Sequence, residues 1–539
     1  MAGYNLNRFH LLVLVTWQFS IFFAVQQIFP IFLNYVPKWR CEENSTSDFK
    51  WSDMKKISYN LKENLGLLNI NNKKMYFNNS EKLFYTPTDF QLYSEEYEKN
   101  CQVFNSCPEN FLIFKSGEFF SAALDFKWIC DNDSSYIVSI ISMIQFFGVL
   151  CGTVFYGFLA DHFGRKPTSF FILSFGIFFL VASAFLEDWR YLLVFRFVIG
   201  LCNGGTMVVL FAYMNELLLS EQRMALRAFV NWGNARVATT IICYLFPSWR
   251  MASIACGIFA LPAIFILIIF LPESPTWLYN KKKFTEYRDA LKYISSLSGD
   301  GPEPEIDNID KNTEVNIKKV WTNKDLRQRL LVLGFMWFTA SISSYTNDLN
   351  SSSINDNFFL NQILIASFIA FSKVLLGIVD LYHPNFNRRN LHHHSQTAVC
   401  ICFGIVAGML LLKYNGTFLM VFNLIGTICI EWTWDACFLC AIESMPTPIR
   451  GSAVGMCSLI ARLGALMSPI IAYLSSIYAP SAYIVLSCVG FLNLISSYKW
   501  LPDTKGVDLN EVMEALEMVE GKEKDDLIVV SQPKVSPLH

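Results

Sequence analysis

Gly157-Phe158-Leu159-Ala160-Asp161-His162-Phe163-Gly164-Arg165-Lys166 stands between two apolar runs, 136–159 and 168–187. Each run is long enough to cross a bilayer as a helix. A short charged turn between them makes the two helices antiparallel neighbours. The same alternation extends outward along the chain. Further runs lie at about 11–33, 191–213, 228–247 and 252–271, then at 329–347, 358–381, 396–413, 418–442, 452–474 and 479–501. In hydrocarbon every backbone group must be satisfied internally, so these runs are read as helices. The expected fold class is an all-α polytopic membrane protein with twelve transmembrane helices in two six-helix halves. The fifth, seventh and eleventh runs carry polar residues and are the least lipid-like. Composition agrees: of 539 residues 53% are hydrophobic and 16% charged, with a mean hydropathy of +0.34. Soluble domains carry roughly 25% charged residues. The net charge of −2 argues against a nucleic-acid partner. The first run is longer than a signal-peptide core and has no small-residue cleavage site, so it is read as retained.

Orientation follows from the short loops. Arg165 and Lys166, Arg223 and Arg227, Arg388 and Arg389, and Arg450 lie on one side, against Arg190, Arg250 and Lys413 on the other. The positive-inside rule therefore places both termini in the cytosol. Asn-x-Ser/Thr sequons at Asn44, Asn78, Asn132, Asn350 and Asn415 all fall on the outer side. All but Asn132, which is too near a span, are glycosylation candidates. Cys41, Cys101, Cys107 and Cys130 lie in the long loop 34–135. An even number in an oxidising compartment points to two disulfides with three open connectivities. The expected organisation is a first half (1–271) with the large outer loop (34–135), a cytosolic linker (272–328), a second half (329–503) and a cytosolic tail (504–539).

The halves repeat one another. Glu216 precedes Arg223 by the same seven residues that separate Glu443 from Arg450. Leu271-Pro272-Glu273 closes the sixth run and Leu501-Pro502-Asp503 the twelfth; Asp161 before Arg165 matches Asp380 before Arg388 and Arg389. The three offsets are 227, 230 and 219 residues. Two such halves joined by a charged linker describe an alternating-access transporter with a midplane site.

The loop quoted first resembles the G-x-L-A-D-x-x-G-R-K motif of the major facilitator superfamily. Its physical reading is that Gly157 permits close helix approach, Asp161 sits near a helix N-terminus, Gly164 turns the chain and Arg165 offers a planar fork to a carboxylate. Pro37-Lys38-Trp39-Arg40-Cys41, Arg196-Phe197-Val198-Ile199-Gly200, Glu273-Ser274-Pro275-Thr276-Trp277-Leu278, Glu443-Ser444-Met445-Pro446-Thr447 with Arg450, and Leu501-Pro502-Asp503-Thr504-Lys505-Gly506 extend the likeness over about 1–515. With the four-cysteine outer loop, the chain resembles the organic cation and anion transporter family, solute carrier family 22. The resemblance implies the major facilitator fold, the plasma membrane, and transport of small organic ions. Gly157, Asp161, Gly164, Arg165, Arg196, Glu216, Arg223, Glu273, Glu443 and Arg450 are then gating or motif residues. Thr276 stands where that family usually has Arg, and the second-half motif copy is degenerate.

Ionisable residues inside membrane spans are functional candidates by default. The resemblance to the anion branch places Arg462 in the eleventh span and Lys373 in the eighth, and implies an organic anion, with exchange against an intracellular dicarboxylate. The alternative is that Glu431 and Asp435, one turn apart in the tenth span, neutralise these cations, which fits a cation or zwitterion. Arg236 is read as a cavity residue or one member of a structural pair. Trp337 and Tyr345 in the seventh span, Trp232 in the fifth and Trp434 in the tenth are candidates to line the cavity. No G-x-x-x-x-G-K-[ST] occurs and no catalytic constellation stands out, so neither an ATP-driven pump nor an enzyme is expected, and no cofactor or metal. His392-His393-His394 is read as a solvated loop. A non-transporting, receptor-like homologue is the remaining alternative.

Overall fold

The computed structural model describes residues 7–36, 39–41, 49–50, 112–114, 119–128, 134–218, 230–298, 324–351, 358–382, 388–414, 416–445 and 447–501. Among the described residues, a helix stands at each of the twelve expected places. The first six are α1 (Arg8–Ala24, prolonged by the turns Val25–Gln27 and Pro30–Leu33), α2 (Ser134–Phe163), α3 (Arg165–Ser183), α4 (Trp189–Gly205, continued to Leu217 through a π turn at Thr206–Leu210), α5 (Trp232–Leu245) and α6 (Trp249–Phe270). The second six are α7 (Lys324–Asn350), α8 (Phe358–Tyr382), α9 (Arg388–Leu411), α10 (Thr417–Ser444), α11 (Thr447–Ile477) and α12 (Ser481–Trp500). Three short strands, Trp39–Cys41, Phe49–Lys50 and Leu112–Phe114, form an antiparallel sheet with the third in the middle. Two further helices, Pro275–Asn280 and Phe284–Ser298, follow α6.

Among the described residues ten helices are long and apolar enough to cross a membrane. The exceptions are α5 and α7. α5 has 14 residues, about 21 Å at 1.5 Å per residue, against a hydrocarbon core of about 30 Å. α7 has the length but carries Lys324, Asp325, Arg327 and Arg329 in its first turns and Asp348 near its end.

Helix starts follow local chemistry. Asn231 caps α5 by accepting from the Asn234 amide, and Asp188 caps α4 by accepting from the Arg190 amide. Ser274 caps the helix after α6, with Pro275 in its first turn. Each cap satisfies an N–H that the helix itself leaves open.

In the first half, α2 and α4 approach each other closely. Gly148 and Gly152 on α2 face Gly200 and Gly204 on α4, a small-xxx-small pattern on both partners. A Cβ at Gly152 would lie 1.9 Å from the Leu201 carbonyl oxygen, and one at Gly200 would lie 2.1 Å from that of Gln145. Gly157 has nothing within 4 Å of a Cβ position, which corrects the expectation that it serves close approach. Its neighbourhood is open because the contact lies one to three turns earlier on α2.

The chain divides into two compact units. The first comprises Met1–Pro302, Tyr345–Val374 and Leu466–Ala479; the second comprises Glu303–Ser344, Leu375–Ala465 and Pro480–His539. Parts of α7, α8 and α11 thus belong with the first six helices. Within the first unit, the Asp125 carboxylate takes bonds from Arg250 Nη2 (2.8 Å) and Nε (3.0 Å) and from the Trp249 indole (3.2 Å). This pair, 3% and 7% exposed, pins the segment before α2 to the start of α6. Within the second unit, α7, α10 and α11 pack around Leu333, Met336, Trp337, Cys437, Ala441 and Cys457.

Two further expectations are corrected. His392, His393 and His394 lie in the first turns of α9, and His392 is fully buried, so they are helix rather than solvated loop. Asn350 ends α7 and is 7% exposed, which leaves no room for a glycan in this conformation. Asn44, Asn78 and Asn415, the side chain of Cys41, and Cys101, Cys107 and Cys130 lie outside the described residues. Gly152→Val should lower the detergent-solubilised melting transition by an amount corresponding to at least about 1–3 kcal/mol, the range for overpacking a filled contact. Gly157→Ala should change it by less than ~0.5 kcal/mol. Side-by-side thermal size-exclusion assays decide this, and equal effects would refute the assigned contact.

Candidate functional site

The Gly157–Lys166 turn lies in a densely bonded charged region. Gly164 has φ +114°, a conformation that favours glycine. The Arg165 and Lys166 amides donate to Glu273 Oε1 at 2.9 and 3.0 Å. They open α3, so the carboxylate at the positive end of that helix is Glu273. Asp161 instead sits in the last turn of α2, 71% exposed, and accepts from Arg165 Nη1 at 2.7 Å. The expected place of Asp161 at a helix N-terminus is thereby corrected: the acid that follows α6 fills it. Arg165 Nε also faces Glu216 at 3.6 Å, and Ser274 Oγ donates to Glu216 at 2.5 Å. The Tyr213 hydroxyl donates to the Pro272 carbonyl, and the Trp277 indole to that of Asp161 at 3.1 Å. The ends of α2, α3, α4 and α6 are therefore one bonded cluster. Arg223 lies outside the described residues.

The second half repeats this arrangement. Arg388, the first residue of α9, pairs with Glu443 near the end of α10 at 3.2 Å, as Arg165 does with Glu216. Arg389 donates to the Tyr498 carbonyl at 3.0 Å, as Lys166 does to that of Ile268 at 3.1 Å. The motif letters before α9 are degenerate, yet these two contacts recur. The Arg450 side chain lies outside the described residues.

The residues expected to meet substrate divide between the two units. In the second, Arg462 is 8% exposed and its Nε has no hydrogen-bond partner among the described residues. It sits where α11 closes on α7: a Cβ at Gly464 would lie 2.7 Å from the Phe338 carbonyl oxygen. Glu431 is 8% exposed on α10 and Asp435 is half-buried. Trp337 is 2% exposed, donates its indole N–H to the Cys437 carbonyl at 3.2 Å, and packs edge-on against Trp434 and Phe438. Its ring is core in this conformation. Trp434 is half-buried beside it. In the first unit, Tyr345 rests on Phe146 at 5.1 Å between ring centres, and Lys373 and Trp232 are half-buried. Arg196 is fully buried on α4 with its guanidinium 5.1 Å over the Phe29 ring. None of its three nitrogens has a hydrogen-bond partner among the described residues.

Arg236 is the member of a structural pair. Its Nη1 donates to Asp348 Oδ1 at 2.5 Å and its Nη2 to Gln362 Oε1 at 2.9 Å, with Arg236 2% and Asp348 7% exposed. Asp348 and Gln362 were not legible as its partners. The available signal was a lone acid in the polar run Thr346-Asn347-Asp348 at the end of an otherwise apolar span.

Twelve helices in two repeated halves, with matched charged clusters at the ends of α3 and α9, define a major facilitator transporter. The chain belongs to the Sugar (and other) transporter family, which it matches over residues 76–516. It is 38% identical over 523 residues to an uncharacterized protein, F23F12.3, of Caenorhabditis elegans, covering 94% of this chain and 95% of that one. It is 26% identical over 434 residues to solute carrier family 22 member 16 of Xenopus laevis, covering 78% of this chain and 74% of that one. The xylose transporter XylE from E. coli, in a partially occluded inward-open conformation, shares the fold with a TM-score of 0.55 at 16% identity, over 70% of this chain and 90% of that one.

Glu273→Ala removes the acceptor of two helix-opening amides and should lower thermal stability in detergent by about 1–2 kcal/mol, as for a lost N-terminal cap. Asp161→Asn, at an exposed pair, should cost under ~1 kcal/mol. A larger loss for Asp161→Asn would reverse the assignment of the helix-capping acid.

Proposed function

We propose that this transporter carries small organic anions across the plasma membrane by alternating access, with Arg462 as the anchor for the anionic group. The observation that carries the reading is a guanidinium in the middle of a membrane helix, 92% buried, with an Nε that no described residue accepts from. A buried cation without a partner is costly, and a carboxylate or sulfate arriving from solution supplies paired, charge-assisted bonds. Both termini are assigned to the cytosol, so the Gly157–Lys166 cluster is cytosolic and the 34–135 loop is outside. In this reading the cluster holds helix ends together on the inner side, and exchange against a cytosolic dicarboxylate drives uptake.

A second reading rests on Glu431, buried on α10 in the same compact unit as Arg462 and one turn from Asp435. A site with both signs fits a zwitterion. Side-by-side uptake of labelled organic anion, cation and zwitterion panels separates the readings. Saturable anion uptake is expected, stimulated by dicarboxylate preloaded inside the cell. Arg462→Asp should reduce it at least about tenfold while Arg462→Lys retains part of it, with surface expression measured for each. Undiminished anion uptake by surface-expressed Arg462→Asp would sink the anchor. Uptake confined to zwitterions or cations would move the site to Glu431 and Asp435.

A further inference from the structure

α5 belongs to the first six helices, whereas α7 and α8 belong to the second. They nevertheless meet inside one compact unit, and they meet in layers. Midway along α8, Gly233 lies against Ala370: a Cβ on Gly233 would fall 2.4 Å from the Ala370 amide nitrogen. Asn231 Nδ2 donates to the Ala370 carbonyl at 3.4 Å. Eight residues back along α8, about 12 Å nearer its start, is the Arg236–Asp348–Gln362 cluster. Ser351 Oγ ties the same layer together, accepting from Gln362 Nε2 at 2.7 Å, while Asn361 Nδ2 donates to the Ser351 carbonyl at 2.7 Å. At the start of α8, Phe358 stacks on Tyr35 at 4.1 Å and Phe359 meets Tyr244 at 5.5 Å. A small-residue contact, a buried ion pair and an aromatic lid thus succeed one another toward the end opposite Gly164.

The ion pair differs from those of Arg165, Arg250 and Arg388 in what it joins. Arg165 pairs with Asp161 and Glu216, and Arg250 with Asp125, inside the first half; Arg388 pairs with Glu443 inside the second. Arg236 pairs across the halves. A contact within a half survives when repeats rock against each other, whereas a contact across them and away from the pivot must break in one of the two states. Fully buried, this pair holds the closed arrangement strongly, because losing either partner strands the other charge out of water. Once parted at an open mouth, both groups regain water. The pair therefore has two states that each satisfy its charges, as a switching element requires.

We propose that Arg236, Asp348 and Gln362 form the latch that keeps the end of the pathway opposite the Gly157–Lys166 cluster closed, with Gly233 against Ala370 as the fulcrum beneath it. The latch rests on the alternating-access reading and on the assignment of that end to the outside, but not on the sign of the substrate. Its chemistry requires one charge of each sign at the two positions, in either order.

The test uses the full chain in cells and needs no substrate, so its failure is distinct from failure of the anion reading. Phe358→Cys, 4% exposed in the native protein, reports on the lid. Its labelling by a membrane-impermeant thiol reagent is measured against the parent lacking that cysteine. Adding Asp348→Asn, which keeps the shape and removes the charge, should speed labelling about tenfold. Arg236→Asp combined with Asp348→Arg should bring the rate back toward that of Phe358→Cys alone. Surface biotinylation of every variant guards against misfolding. Should Asp348→Asn fail to reach the surface, Gln362→Leu provides the milder probe, with a smaller increase expected. Unchanged labelling in a surface-expressed Asp348→Asn protein would overturn the latch, as would a charge-reversed pair that labels as fast as Asp348→Asn.

Discussion

A charge taken out of water must be met by another charge or by a full set of hydrogen bonds, and in a membrane no solvent is at hand to excuse a failure. The placement of arginines in this chain follows from that constraint. Arg165, Arg236, Arg250 and Arg388 each reach a carboxylate from another helix or from the segment before it. These pairs do more than neutralise. Each ties together separate elements of the chain, so the ion pairs mark joints of the bundle while small residues such as Gly152 and Gly200 set its spacing. Arg196 and Arg462 stand apart, since both are buried and neither has an ion pair among the described residues. Arg196 at least has an aromatic face beneath it, a partial substitute for a counter-ion. Arg462 has none, and for that reason it is the residue on which the proposed substrate chemistry turns.

The internal repeat is clearer in contacts than in letters. Pro384 and the loss of the second glycine obscure the copy of the motif before α9. Yet Arg388 finds Glu443 as Arg165 finds Glu216, and Arg389 finds a carbonyl of α12 as Lys166 finds one of α6. What is retained is the first basic pair of a helix, an acid at the end of its successor, and a carbonyl near the close of the half. The letters before the helix have drifted. This is expected if the physical requirement is to tie three helix ends together, because many turns can deliver an arginine to a helix start.

Most of the architecture was legible in the sequence because hydropathy and short charged turns are local signals. Twelve helices, their order and the family resemblance all came from runs and motifs that need no tertiary knowledge. The site was less legible for a matching reason. That Trp337 is core, that Glu273 rather than Asp161 opens α3, and that Asp348 answers Arg236 are facts about residues about 100 positions apart in the chain. A single sequence supplies candidates for such pairs but not their pairing. The misread histidines show the same limit: a polar triplet beside two arginines resembles a loop until a neighbouring helix buries one face of it.

The two helices that fall short as membrane spans illustrate how function distorts these signals. α5 is too short and α7 too polar, and they are the two helices that supply Arg236 and Asp348. A helix that only faces lipid is free to be uniformly apolar. One that must hold a counter-charge in one conformation, and meet water in another, carries polar residues whose cost is offset only by a partner on a different helix. Weak hydropathy within an otherwise regular series of spans is therefore informative. It marks helices whose stability in the bilayer depends on what they touch, and under the proposed latch those are the helices whose contacts change.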